Sequence, residues 1–443
     1  MMKKLFTLFI IGMLATMALS SCSGEAEDVD SVNKQTLLAF YPWTGGTNTS
    51  GLKSDLENNI DSICMGIYDR KGLNNTRVMV FFSDNYNTST LYDLQYDETT
   101  KTVTRVPVKT YEGTIYSTAD GIAEILNEVK QDAPALNYAL IIGAHGCGWT
   151  YASDWVRYPY YARPRTGKSE SNNGASGNNN GTTANTPGAS ASNITDNFSG
   201  IQFGEDPNRP LTRFFGSVSY DEAATDVTTL AEGIKKSGIG KMQYILFDAC
   251  YMGNVETAYE LKDVTNFMIS SSSEIMQYGL PYRSLWTYLN SATPNYSSIV
   301  SGAISYYKST DVPYLNLAVI DCRQLESLAS LMKEINSKYS LSSTVPLDSI
   351  QPLDGFSPNL FYDLSVYVDS LHLSGYDKDQ FANQLKKTIK AASSTEKVFT
   401  ALSSYQGSEI TIKSYCGLSI SDPSQHSVAV KGREKTGWWK ATH

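Results

Sequence analysis

The stretch Met242-Gln-Tyr-Ile-Leu-Phe-Asp-Ala-Cys250, continued by Tyr251-Met-Gly-Asn-Val-Glu-Thr-Ala-Tyr-Glu-Leu261, is the part of this chain that decides its fold class. Tyr244 to Phe247 is a short apolar run of high strand propensity, the length of one buried strand. After the polar Asp-Ala-Cys tip, Val255, Ala258 and Tyr259 recur at three- and four-residue steps, which predicts a helix. Cys250 therefore stands where a strand ends and a helix begins, at the edge where open parallel sheets bind ligands. The amides opening such a helix favour thiolate over thiol.

A second strand ends in the same way. Ala139-Leu-Ile-Ile-Gly-Ala144 is an apolar run that stops at His145-Gly146-Cys147-Gly148-Trp149. If the two strands are parallel neighbours, His145 and Cys250 share one sheet edge. A catalytic cysteine and its histidine are adjacent in space rather than in sequence.

His145-Gly146-x-Gly148-Trp149 and Phe247-Asp248-Ala249-Cys250-x-Met252-x-x-Val255-Glu256-x-Ala258-Tyr259 resemble the clostripain family of cysteine peptidases, relatives of caspases, gingipains and legumain. Ser270-Ser-Ser-Ser-Glu274, Gly279-Leu-Pro-Tyr282 and Gly417-Leu-Ser-Ile420 agree with the flanks, so the resemblance runs from about Leu37 to Ile420. It implies an α/β fold: a caspase-like α/β/α sandwich with a mostly parallel central sheet and a small C-terminal α+β subdomain. It also implies Cys250 as nucleophile and His145 as the proton donor to the leaving amine. A thiolate is intrinsically nucleophilic, so these two suffice.

By the same resemblance the amides of Gly146 and Cys250 form the oxyanion hole. Asp248 lies two residues before Cys250 and so on its face of the strand; its counterpart in clostripain relatives receives the Lys or Arg before the scissile bond. Ala144, Cys147 and Tyr251 depart from the commoner family residues. Cys147, with glycine neighbours and no helix after it, is a poor rival nucleophile. These departures keep a different class in view, a catalytically inactive caspase-fold surface lipoprotein acting as a binding module.

The N-terminus has the layout of an export signal. Met1-Met-Lys-Lys4 is basic, Leu5 to Leu19 is apolar and short for a membrane span, and Leu19-Ser-Ser-Cys22 resembles a bacterial lipobox. Residues 1–21 read as a lipoprotein signal peptide, with Cys22 as the lipid-bearing first residue; the alternative is an ordinary signal peptide cut nearby. Residues 22–34 form an acidic tether. The expectation is an exported bacterial lipoprotein at the outer membrane or cell surface, tied to the membrane through Cys22 and monomeric.

The 443 residues are 41% hydrophobic and 18% charged, enough for a substantial core. Without Lys3 and Lys4 the mature chain has 34 basic against 45 acidic residues, a charge of about −11, which argues against nucleic acid as a partner. Polypeptides carrying Arg or Lys are the partners implied by the resemblance. With Cys22 lipidated five cysteines remain, an odd number and a poor disulfide framework. No Cys-x-x-Cys or His-x-x-x-His spacing supports a metal site, and no carboxylate loop motif supports calcium. No cofactor is expected from the residues; the resemblance leaves calcium open, since some family members depend on it.

In chain order, strands are expected at Leu37–Tyr41, Arg77–Phe82, Phe267–Ser270 and Leu315–Asp321, with a hairpin edge over Tyr96–Val108. Helices are expected around Leu52–Met65, from Ser117 (as cap) to Gln131, and over Thr225–Lys236, Ser297–Lys308 and Gln324–Lys338. Such alternation predicts a mostly parallel sheet covered on both faces. Residues 35–340 would form the peptidase domain and 341–443 the C-terminal subdomain, with helices from Phe361 and over Phe381–Ala392, and strands at Glu409–Lys413 and Leu418–Ile420.

Residues 159–200 interrupt this order with a Gly/Ser/Asn/Thr-rich insertion that cannot bury a core. His145 and Cys250 stand 105 positions apart, and removing the 42 positions of Pro159 to Gly200 leaves 63, near the caspase spacing of roughly 50. Family members are often matured by self-cleavage downstream of the histidine. Arg157, Arg163, Arg165 and Lys168 are the candidate cleavage positions; the alternative is a merely flexible loop.

Overall fold

A computed structural model describes residues 33–42, 52–85, 87–151, 154, 213–216, 223–402 and 409–443. Cys22, the leader and tether expectations up to residue 32, Arg157, Arg163, Arg165 and Lys168 all lie outside these residues.

The strands of the centre are β1 (Asn33–Tyr41), β2 (Thr76–Asn85), β3 (Thr88–Asp97), β4 (Thr102–Glu112) and β5 (Ala135–Gly143). Next come β6 (His145–Tyr151), β7 (Arg213–Gly216), β8 (Ala224–Asp226), β9 (Ile245–Asp248), β10 (Phe267–Ser270) and β11 (Asn316–Asp321). In the C-terminal part follow a short β12 (Tyr362–Asp363) and β13 (Ile389–Ser394). Nine of these make one sheet in the order β13-β11-β10-β9-β5-β1-β2-β3-β4. Its five middle strands, β10 to β2, are parallel, and two antiparallel strands extend it on each side.

Buried parallel strands read as unbroken apolar runs because both faces are covered, and successive side chains serve opposite faces. Leu38, Phe40, Leu140, Ile142, Ile245 and Phe247 enter one core. Leu37, Ala39, Tyr41, Ala139, Ile141 and Leu246 enter the other. The second face is closed by α1 (Lys53–Asp69), and the first by α2 (Ala119–Asp132), α3 (Val227–Ser237) and α4 (Val255–Leu261). Helices α5 (Tyr282–Leu289) and α6 (Tyr296–Lys308) join α1, and α7 (Leu325–Lys338) joins the others. The result is the α/β/α sandwich expected from the sequence.

Three local expectations change. Helix α2 is capped by Thr118, whose hydroxyl accepts from the Gly121 amide at 3.1 Å. Ser117 instead ends a 3-10 turn and donates to the Thr114 carbonyl. Helix α5 follows Pro281, and the Leu285, Trp286 and Leu289 stripe that buries it escaped the sequence reading. The helix expected over Phe381–Ala392 spans Gly375–Thr388, because Ile389 onward pairs antiparallel with β11. Tertiary pairing there overrides helical propensity. The C-terminal stretch expected as a subdomain thus supplies an edge strand to the central sheet.

Candidate active site

The parallel pairing of β5 and β9 positions the site. Gly143 is the register partner of Asp248, and the Ala144 amide donates to the Asp248 carbonyl at 3.4 Å. His145 and Cys250 are each two residues beyond that rung, at the carboxyl edge of neighbouring strands. His145 opens β6, which leaves the central sheet to pair with β7, His145 opposite Gly216 and Gly146 opposite Phe215. A Cβ on Gly146 would overlap the Cys250 carbonyl oxygen and meet its amide nitrogen at 3.0 Å. Glycine is needed there for the two backbones to lie this close.

Cys250 is half-buried. Its sulfur accepts from the Ile275 amide at 3.4 Å, and its thiol faces the Ile275 carbonyl at 3.7 Å. Burial pushes the thiol up to about 12, with the charge of Glu274 the next cause and Asp248 adding to it. The expectation that helix amides favour the thiolate is therefore corrected. Helix α4 begins only at Val255, its first turn is satisfied by the Asn254 side chain, and desolvation wins. His145 is half-buried, and burial lowers it to about 4. Near neutral pH the resting pair is a thiol and an uncharged imidazole.

Between Cys250 and α4 the chain turns sharply. Tyr251 takes φ +60°, the left-handed region. The turn is held by Asn254, whose Nδ2 donates to the Tyr251 carbonyl at 2.7 Å and whose Oδ1 accepts from the Thr257 amide at 2.7 Å. Cys147 is buried in the small apolar cluster with Trp149, Tyr251 and Phe361, against which Cys250 packs. Burial raises its thiol far above the ordinary value. Glu256 is also buried and accepts from the Ser421 amide at 2.8 Å, a structural contact.

Asp248 is 7% exposed. Its Oδ2 accepts from the Leu280 amide at 3.1 Å and the Tyr282 hydroxyl at 2.7 Å. Oδ1 has no hydrogen-bond partner among the described residues. Burial holds this carboxyl up at about 6. Gly279, at φ +68°, leaves room for it: a Cβ there would overlap Oδ2. Tyr282 and Asn254 stand in the sequence motifs without a role assigned to them, and Ile275 lies one residue past the Ser270–Glu274 segment. The signal was the Gly279-Leu-Pro-Tyr282 segment itself, whose partner lies 34 positions away.

Among the described residues no group of three or more His, Cys, Asp or Glu is placed to hold a metal ion, and all five described cysteines are unpaired. No described helix is long and apolar enough to cross a membrane.

A cysteine and a histidine at adjoining strand ends of an α/β/α sandwich define the caspase-like class of cysteine peptidases, and comparison with known proteins narrows it. The clostripain family profile matches residues 212–428. A secreted cysteine protease of Bacteroides thetaiotaomicron, iotapain, is 32% identical with a TM-score of 0.74, the match covering 93% of this chain and 99% of that one. An inactive zymogen protease of Parabacteroides distasonis shares the fold at 20% identity and a TM-score of 0.67, over 92% of this chain and 98% of its own. A second secreted cysteine protease of Bacteroides thetaiotaomicron, bound to an irreversible peptide inhibitor, shares it at 18% identity and 0.65, over 92% and 98%. No curated protein matches. This chain belongs to the clostripain family of cysteine peptidases.

Proposed function

We propose that the protein hydrolyses peptide bonds after Arg or Lys, with Cys250 as nucleophile and His145 as its proton partner. The observation that carries this reading is the register: Gly143 against Asp248 sends both residues out at one edge. From the neutral resting pair, the thiol proton passes to His145 as sulfur attacks the carbonyl. The imidazolium then protonates the leaving amine as the C–N bond breaks, and water hydrolyses the resulting thioester, freeing the carboxylic acid product and the Cys250 thiol. The amides of Gly146 and Cys250 are the candidates for the oxyanion, a reading supported by the close approach of the two backbones.

Asp248 supplies the specificity in this reading. A buried carboxylate with one oxygen unpartnered is costly unless a cation arrives, and a substrate Arg or Lys is such a cation. Hydrolysis of Arg- and Lys-ended fluorogenic peptides by the wild type, and its loss in Cys250→Ala, tests the assignment. Retained hydrolysis in Cys250→Ala would reject the nucleophile, and peptide binding without turnover by the wild type would favour an inactive binding module.

Self-processing after Arg157, Arg163, Arg165 or Lys168 is part of this proposal, supported by their place after the histidine and at the start of the Gly/Ser/Asn-rich insertion. N-terminal sequencing after incubation should find new termini in the wild type and none in Cys250→Ala; an intact, fully active chain would refute it. Export as a lipoprotein through Cys22 rests on the basic start, apolar run and Leu19-Ser-Ser-Cys22, and iotapain is described as secreted. Cys22→Ser should abolish incorporation of labelled fatty acid.

A further inference from the structure

Behind Cys250 the segment from Ser271 to Ile275 forms a second wall. The Tyr251 amide donates to the Ser273 carbonyl at 3.0 Å and the Gly253 amide to the Ser271 carbonyl at 2.7 Å. Ile275 meets the sulfur with both its amide and its carbonyl. Between these contacts sits Glu274, 8% exposed, an acidic side chain for which the proposed reaction has no use. One carboxylate oxygen accepts from the Tyr251 hydroxyl at 2.6 Å, and both accept from the Ala401 amide at 3.0 Å. Thr400 adds a side-chain hydrogen bond.

What Glu274 holds is a strained residue. A left-handed conformation at a bulky aromatic costs about 1–3 kcal/mol and persists only where the surroundings over-determine it. Tyr251 is fixed at three points: its ring stacks on Phe361 at 5.5 Å, its carbonyl accepts from Asn254, and its hydroxyl ends on Glu274. The reach of a single carboxylate thus covers the turn directly after the nucleophile and the wall that receives its sulfur.

We propose that Glu274 is a positioning residue for Cys250: its carboxylate pins the turn through Tyr251 and sets an acidic group one residue from the Ile275 backbone that meets the sulfur. The proposal rests on the reading of Cys250 as nucleophile. Among the charges near the thiol, Glu274 acts most strongly and Asp248 on β9 follows. Cys147 on β6, Tyr251 and Tyr307 on α6 also face it, all raised by burial and so uncharged near neutrality. His145 is uncharged above about 4. Burial raises the Glu274 carboxyl, and the hydrogen bonds from Tyr251, Ala401 and Thr400 oppose that rise.

The test is alkylation of Cys250 by iodoacetamide between pH 6 and 9.5, read by peptide mapping, in wild type, Glu274→Gln and Glu274→Asp. Glu274→Gln keeps an acceptor for Tyr251 and removes the charge. Its alkylation at pH 7.5 should be about three- to tenfold faster, the rise displaced to lower pH. Glu274→Asp keeps the charge but withdraws it by one methylene. It should retain the wild-type alkylation profile while kcat on peptides falls about tenfold with KM unchanged.

Superimposed profiles for folded Glu274→Gln and wild type would overturn the proposal, as would equal acceleration in both variants, the mark of general loosening. Should Glu274→Gln not fold, a Glu274→Asp enzyme with wild-type kcat would overturn it. Alkylation does not require turnover. A Cys250→Ala enzyme that still hydrolysed peptides would therefore sink the nucleophile reading separately, leaving the alkylation result to stand on its own.

Discussion

Tyr282 donates its hydroxyl to Asp248 Oδ2 at 2.7 Å, and that bond fixes which oxygen of the carboxylate is left over. The Leu280 amide takes the same oxygen, so Oδ1 stays buried and unpartnered among the described residues. Aromatic hydroxyl, backbone amide and glycine gap together hold one anion in a dry place.

Asp248 must be ionised to receive a basic side chain, and its carboxyl sits at about 6 in the free protein. It is charged above that pH and neutral below. For Arg and Lys peptides kcat/KM should therefore fall about tenfold per pH unit below about 6. Asp248→Ala should lose about 100-fold or more in kcat/KM for those peptides while Cys250 still alkylates. Unchanged specificity would remove Asp248 from the pocket.

The same shift has a stability consequence. The folded value of about 6 lies above the ordinary 3.8, so the stabilising contribution is full below about 3.8 and is lost as pH rises through about 6. The loss amounts to about 3 kcal/mol. Asp248→Asn should melt at a higher temperature than wild type at pH 8, with the gap closing toward pH 4. Equal melting differences at both pH values would contradict the buried charge.

Gly146→Ala tests how tightly the two strand ends meet. A methyl there overlaps the Cys250 carbonyl, which is backbone and has no rotamer to give. Overpacking of this kind costs about 1–3 kcal/mol, and a displaced nucleophile costs about 100-fold in kcat. Steady-state kinetics and a thermal melt on the purified variant check both numbers.

Asn254→Ala removes a helix cap and a turn clamp at once. The cap is worth about 1 kcal/mol, and the stranded Tyr251 carbonyl adds about 1–3 kcal/mol. Asn254→Asp keeps the cap, loses the donor and should recover roughly the cap's share. Denaturant titration separates the two.

How legible this was in the sequence depended on what each residue's role required. The strands carrying Ala139–Gly143 and Ile245–Asp248 were readable because burial on both faces leaves an unbroken apolar run. Their adjacency came from the paired motifs. The protonation of Cys250 was not readable: it depends on burial and on Glu274, 24 positions later in sequence and brought in by β10. The link from Asp248 to Tyr282 was hidden for the same reason. Ile389–Ala392 looked helical because nothing local says that β11 offers an open edge.

The most direct measurement is covalent capture. Wild type and His145→Ala are treated with a peptidyl electrophile ending in Arg or Lys, and the adduct is mapped by mass spectrometry. One adduct on Cys250, formed by the wild type and slowed about 100-fold or more in His145→Ala, is the expected result. Labelling of Cys147 or another cysteine in place of Cys250, or equal rates in both proteins, would contradict the pairing of this thiol with this imidazole.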